Sequence, residues 1–165
     1  MEPLTELLGD SPAMAALRAK ARQLLQHGRA RLPPILIQGE TGAGKGLLAR
    51  ALQAGSARAD RPFVEINCAA LPATLLEAEI FGFERGAFTD ARQAKAGLFQ
   101  AAHTGTIFLD EIGLLPPELQ AKFLKVVEDK KVRRLGATRD EAVDVWILAA
   151  SNEDLPAAVR DGKFR

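Results

Sequence analysis

The sequence predicts an α/β fold, a three-layer α/β/α sandwich around a parallel sheet, and three observations carry that expectation. Four short apolar strand-like runs, at 35–37, 62–69, 104–111 and 143–151, alternate with segments of helical periodicity. Two of the runs, Ile35-Leu36-Ile37 and T-G-T-I-F-L-D-E at 104–111, are of the buried type, bounded by Pro and Gly or ending in acids. At 165 residues and 47% hydrophobic content, the chain can bury one real core but is short for two, so a single domain over 1–165 is expected.

Taken in order, Ser11 caps and Pro12 opens an amphipathic helix with Met14, Leu17, Ala21, Leu24 and Leu25 on one face, ended by Gly28. The segment 33–52 then reads strand, glycine loop, helix: Ile35-Leu36-Ile37, then Gly39-Glu40-Thr41-Gly42-Ala43-Gly44-Lys45, then a stripe at Leu47, Leu48, Ala51 and Leu52. Three glycines let successive N–H groups turn inward around an anion. The helix adds its positive dipole end, and Lys45 adds a point charge, so the stretch is built for the phosphates of a nucleoside triphosphate. Gly46 stands where Ser or Thr would bind magnesium, so the metal needs another ligand.

The second strand, P-F-V-E-I-N-C-A, carries Asn67 near its end and Cys68 as a buried structural thiol. A helix over 71–81 leads into a segment without usable period, where Gly82 and Gly86 flank Phe83 and Phe88 follows two residues after Gly86. That segment reads as a mobile loop presenting a side chain or as a plain connection with Phe88 tucked back. The third strand ends in Asp110 and Glu111, and parallel strand ends are where α/β folds place ligands. Asp110 can hold the metal, and Glu111 can orient or deprotonate an attacking water.

Pro116 and Pro117 open a helix striped by Leu119, Phe123, Leu124, Val126 and Val127. Residues 131–142 suggest a basic hairpin with Gly136 at its tip; its four cations invite a nucleic-acid reading, against which the adjoining Asp129, Asp140 and Glu141 favour a solvated surface. The last strand runs from Val143 to Ser151, followed by Asn152 and a short helix from Asp154. His27 and His103 are isolated and read as ligands of nothing.

Lys and Arg number 22 against 21 Asp and Glu, a formal net charge of +1, so no basic footprint supports DNA binding by this segment on its own. A single cysteine excludes an internal disulfide or a zinc cluster and suits a reducing compartment. No apolar run reaches the roughly 18 residues of a membrane span, and the N-terminus lacks a signal pattern, so a soluble, cytoplasmic protein is expected.

Together, G-E-T-G-A-G-K-G, E-I-F-G-F-E-R-G-A-F-T-D-A, G-T-I-F-L-D-E-I-G-L-L-P-P-E-L-Q-A-K-F-L-K-V-V-E and A-A-S-N-E-D-L resemble the AAA+ ATPase domain of the sigma-54-dependent transcription activators. The resemblance runs from about Leu8 to Arg165. It implies a P-loop NTPase core of AAA+ type that uses ATP and Mg2+ in a homo-oligomeric ring to remodel the sigma-54 RNA polymerase holoenzyme. Carried over, Gly39, Glu40, Thr41, Gly42, Ala43, Gly44, Lys45, Gly46 and Leu47 wrap the nucleotide, and Leu8 and Gly9 lie near the adenine. Asp110 serves the metal and Glu111 is the catalytic acid-base, with Asn67 as its restraint. Asn152 senses the γ-phosphate, Arg165 reaches a neighbouring subunit's site, and Gly86, Ala87, Phe88, Thr89, Asp90 and Ala91 form the sigma-54 contact loop.

Two departures qualify this. Asp90 replaces a glycine usual in that loop, which raises a second reading: a related ATPase module of a signalling protein not coupled to sigma-54. A third is a nucleotide-binding interaction module with little turnover, against which the Asp110-Glu111 pair argues. The resemblance also ends before the family's fifth strand and helical lid. The segment alone is therefore expected to be a weak ATPase and to read as part of a longer protein.

Overall fold

The computed structural model describes residues 3–7, 9–27 and 31–164. A short 3-10 turn at Pro3–Glu6 precedes α1 (Pro12–His27), whose first turn is capped by Ser11: its Oγ accepts from Met14 N at 3.2 Å. The expected stop at Gly28 lies outside the described residues. β1 (Ile35–Gln38) feeds α2 (Lys45–Ala54), then β2 (Phe63–Asn67) and α3 (Ala73–Phe81). A two-stranded ribbon, β3 (Gly82–Phe83) with β4 (Lys95–Ala96), carries the surface loop, and α4 (Leu98–Ala101) returns the chain to β5 (Thr106–Asp110). After α5 (Pro117–Asp129) come the hairpin strands β6 (Lys131–Val132) and β7 (Glu141–Ala142), then β8 (Trp146–Ser151) and α6 (Leu155–Arg160).

The main sheet is four-stranded, ordered β1-β8-β5-β2, and every pairing is parallel. Its alternation divides the core in two. Ile107, Leu109, Ile147 and Ala149 face α3, α4 and α5, packing on Leu76, Phe81, Phe99 and Leu119. Phe108, Trp146, Leu148 and Ala150 face the other way, onto Ala21 of α1 and Leu48, Ala49 and Leu52 of α2. Because both faces are covered, β8 is buried at all six positions, and this continuous apolar run is the mark of a central parallel strand. The expected sandwich therefore forms, with β2, β5 and β8 trimmed by one to three residues at an end and β1 one residue longer than its apolar run.

Within α5, Leu119 and Val126 are buried and Phe123 and Val127 half-buried, but Leu124 is 45% exposed. The stripe is narrower than its spacing suggests, since Leu124 lies past the edge of the sheet face and borders a groove beside β1. The ribbon β3–β4 was not foreseen, because strands of two residues have no period to read. It depends on two glycines meeting: a Cβ at Gly82 would stand 2.6 Å from Gly97 N, and one at Gly97 would stand 2.4 Å from Gly82 N. Among the described residues no helix is long and apolar enough to cross a membrane.

Candidate nucleotide site

Parallel pairing brings the C-terminal ends of all four strands to one edge of the sheet. β1 runs straight into the glycine loop, and Gly39 N donates to Ser151 O at 3.2 Å, joining that loop to the end of β8. Gly42 and Gly44 hold φ of +81° and +85°, a region that costs a side-chain-bearing residue about 1 kcal/mol or more. Gly44 is also the N-cap of α2 and offers no side chain to its first turn. The N–H groups and dipole there remain for an anion, which this concave, glycine-built turn suits.

Lys45 is half-buried and folds back on the loop, its Nζ donating to Gly39 O and Glu40 O at 2.7 Å each. An ammonium has three hydrogens, so one donor is left over and the charge sits against the loop. At Gly46 a Cβ would meet Phe108 Cε1 at 3.7 Å and Glu65 Oε1 at 4.0 Å, ordinary contact. Its lack of a hydroxyl is thus not imposed by crowding.

Asp110 and Glu111 emerge from β5 between β8 and β2. Asp110 Oδ1 accepts from Glu111 N at 2.9 Å, which fixes the carboxylate and leaves lone pairs for a cation. This donor set, one carboxylate beside a phosphate cradle, fits magnesium, which keeps several waters and takes few protein ligands. Glu111 adopts φ 53°, ψ 47°, one of three described non-glycine residues with positive φ. A left-handed backbone there costs roughly 1–2 kcal/mol, and strain of this kind concentrates at functional positions.

Asn152, just past β8, donates from Nδ2 to Thr41 Oγ1 at 3.2 Å, so the expected sensor touches the phosphate loop itself. Nothing in the sequence signalled Thr41 as its partner. Asn67 is in register with Asp110, but its Oδ1 accepts from Ala69 N at 2.9 Å. It therefore stands beside the acidic pair and caps the turn after β2 instead of bonding Glu111. Cys68, 4% exposed and bonded through its N to Asp110 O, has its thiol pushed up to about 12 by burial first and by the charges of Asp110 and Glu111 next. It is a protonated packing group, as expected.

Beside Gly44 and Lys45 lies a cavity of about 390 Å3 lined by Leu7, Met14, Leu17, Leu47 and Leu48. Its size and apolar walls suit a planar base. The segment above it is tied down by Arg18, whose guanidinium donates to Leu7 O at 2.8 Å and Gly9 O at 2.9 Å, a clamp that no pattern in the sequence revealed. Leu8 and Arg165 lie outside the described residues.

The surface loop is carried on the β3–β4 ribbon. Phe88 is 43% exposed yet packs edge-on against Phe83 with centroids 4.9 Å apart, so it is both presented and anchored. Gly86 N donates to Ala91 O at 2.8 Å and Ala91 N to Phe88 O at 3.0 Å. Positive φ in this loop falls to Gly86 and not to Asp90, so the departure at position 90 brings no strain to this conformation. The basic hairpin also forms as expected, and it pairs with the loop: Glu84 N donates to Leu135 O and Leu135 N to Gly82 O, both at 2.9 Å.

Residues 7–165 match the sigma-54 interaction domain family. The response regulator PilR of Pseudomonas aeruginosa is 46% identical over 159 residues, covering 96% of this chain and 35% of that protein. The regulatory protein AtoC of Escherichia coli is 50% identical over 160 residues, again 96% of this chain and 34% of the relative. Among solved structures, NtrX from Brucella abortus in complex with ADP superposes with a TM-score of 0.84 at 36% identity, over 98% of this chain and 34% of that one. NtrX in complex with ATP gives 0.81 at 36% identity over 96% and 33%. The chain thus spans about a third of the length of the proteins it matches.

Proposed function

Since this chain belongs to the sigma-54 interaction domain family, we propose that it is the nucleotide-binding α/β subdomain of an AAA+ ATPase that remodels the sigma-54 RNA polymerase holoenzyme. The observation that carries this is the convergence, at one sheet edge, of the glycine loop, the Asp110–Glu111 pair and Asn152 bonded to Thr41. The match includes the loop that contains Asp90, so the reading without sigma-54 coupling is not favoured.

On this reading the loop N–H groups from Gly39 to Gly46 and the Lys45 ammonium bind the phosphates, and the apolar cavity by Leu7 and Leu47 takes the adenine, near Leu8 and Gly9. Magnesium, when bound, neutralises charge that develops on the transferring phosphoryl group, and Asp110 is the residue that would hold it. Glu111 orients the attacking water and takes its proton. Asn67 lies beside it as a restraint, and Asn152 reports the γ-phosphate to the loop through Thr41. Arg165 would enter the neighbouring subunit's site, which makes hydrolysis depend on a ring. Gly86 to Ala91, with Phe88 foremost, meets sigma-54 in the cytoplasm.

The test uses Glu111→Gln in the full-length parent. An amide holds a water but accepts no proton, so ATP should bind normally while hydrolysis falls by on the order of a hundredfold. Retention of sigma-54 should appear with an ATP transition-state analogue on the unaltered protein. Normal hydrolysis without retention would remove the sigma-54 coupling; absence of any ATP binding would remove the proposal as a whole.

A further inference from the structure

Between the later turns of α5 and the β6–β7 hairpin runs a groove of about 310 Å3. Lys122 and Lys125 border it from the helix, and Lys131, Arg133 and Arg134 from the hairpin. Three acids answer them: Glu77 pairs with Lys122, Asp140 with Arg133 at 2.8 Å, and Glu141 with Arg134 at 3.1 Å. Lys125 and Lys131 are exposed and make no ion pair among the described residues. The groove therefore holds an excess of two positive charges, while the whole chain carries a formal +1. The excess is local, because everything else sums to a net negative charge.

Two details show how that charge acts. The Asp140 carboxyl is held below the usual carboxylate range, first by the hydrogen bond from Arg133 and further by the positive charges of Arg133, Lys125 and Lys131. Arg134 Nε, although close to Glu141, is buried and makes no hydrogen bond, so a donor stays unsatisfied. The accessible apolar lining is Leu135 and Ala137, both half-buried, above the buried Phe81 and Val126, and Lys122 Nζ lies 5.9 Å from the Phe81 ring centroid. An occupant needs a few carboxylates spaced around an apolar side chain. A phosphate backbone suits this less well, because it presents charge after charge with no apolar group between, whereas here Asp140 and Glu141 stand among the cations and apolar residues line the space between them. The groove also continues into the Phe88 loop, since a Cβ on Gly136 would stand 3.0 Å from the Ala87 Cβ.

We infer that this groove receives a short acidic peptide segment of the partner that meets Phe88, its carboxylates on Lys125 and Lys131 and an apolar side chain against Leu135 and Ala137. That the partner is sigma-54 rests on the function proposed above; the preference for an acidic peptide does not.

Two measurements separate these. In the first, a fluorescein-labelled peptide of alternating Glu and Leu is titrated onto the full chain, beside a Lys-Leu peptide and a single-stranded oligonucleotide of equal charge. Saturable binding of the Glu-Leu peptide, weakened tenfold or more in Lys125→Glu/Lys131→Glu with ATP binding unchanged, is expected. No binding, binding indifferent to the double substitution, or an oligonucleotide bound as tightly as the peptide overturns the groove. In the second, the double variant in the full-length parent should lose retention of sigma-54 while hydrolysing ATP normally; equal retention overturns the groove as a sigma-54 contact. A parent that never retains sigma-54 but whose groove binds the peptide refutes the proposed function and leaves the groove standing.

Discussion

At the phosphate loop, Lys45 finds its partners five and six residues away, at Glu40 and Gly39, and the loop's shape comes from glycines inside it. At the two surface insertions, the Phe88 loop on β3–β4 and the β6–β7 hairpin, Glu84 bonds Leu135 and Ala87 lies against Gly136, partners about fifty residues distant in sequence. The first region is thus shaped by its own short sequence, whereas the second exists only where two separate excursions meet. A change in one half of the insertion pair should disturb the other, while nucleotide binding at the sheet edge stays as it was.

The largest expected effects test that separation. Lys45→Ala removes the loop's only full positive charge, so ATP binding should fall below detection in a calorimetric titration. Phe88→Ala should leave ATP affinity and turnover within about twofold while abolishing retention of sigma-54, as a centrally placed aromatic anchor would. If Phe88→Ala weakened ATP binding as severely as Lys45→Ala, the two regions would not be independent.

Next in size is the ribbon beneath the loop. Gly97→Ala places a methyl 2.4 Å from Gly82 N and Phe81 C, backbone atoms that cannot yield without the ribbon shifting. A loss of about 3 kcal/mol is expected, with Tm down by roughly 6–12 °C for a domain of this size. Gly86→Ala meets open space and pays only for its φ of +81°, so about 1 kcal/mol is expected. Equal melting temperatures for the two variants would show that the close approach is not what holds the ribbon.

Cys68 offers a test by pH at the other region. Its folded pKa of about 12 lies above the value of 9.0 for a free thiol. The resulting stability is complete below about pH 9 and is lost as pH rises toward 12, because the unfolded chain ionises first. At pH 10 the loss should be about 1 kcal/mol, and Cys68→Ala should flatten that slope in denaturant melts between pH 8 and 10. An unchanged slope would mean that the thiol is not the titrating group.

The smallest effects concern Gly46, which stands where Ser or Thr would bind magnesium, and Asp90, which replaces a glycine usual in the surface loop. Gly46→Ala puts a Cβ into ordinary contact and lowers the entropy of the unfolded helix, a gain of about 0.5–1 kcal/mol. Asp90→Gly relieves no strain, because Asp90 is not in the left-handed region. A slight fall in Tm with sigma-54 retention unchanged is expected, and a clear rise in retention would show that the loop visits another conformation when it works.

What could be read in advance followed from how local each cause was. The phosphate loop, the Ser11 and Asp154 caps and the apolar runs of the four strands are decided by a residue and its neighbours within one turn or one strand, so their patterns sufficed. The ribbon β3–β4 escaped because its cause is the mutual approach of Gly82 and Gly97, with no periodicity on either side. Leu124 was assigned to the core by its spacing, and only the finite width of the sheet face leaves it exposed.

By itself, then, the sequence determined the element types, the glycine turn between β1 and α2 and the acids at a strand end, because backbone sterics and short-range burial fix these without reference to distant chain. The tertiary structure alone decided the strand order β1-β8-β5-β2, which sets Asp110 beside Asn67, and the bond from Asn152 to Thr41 across 111 residues. It also decided the grip of Arg18 on Leu7 and Gly9 and the gathering of Lys125 and Lys131 around one groove. These depend on which segments pack together, and packing is settled by the sum of many weak burials across the whole core, which no single stretch of sequence contains.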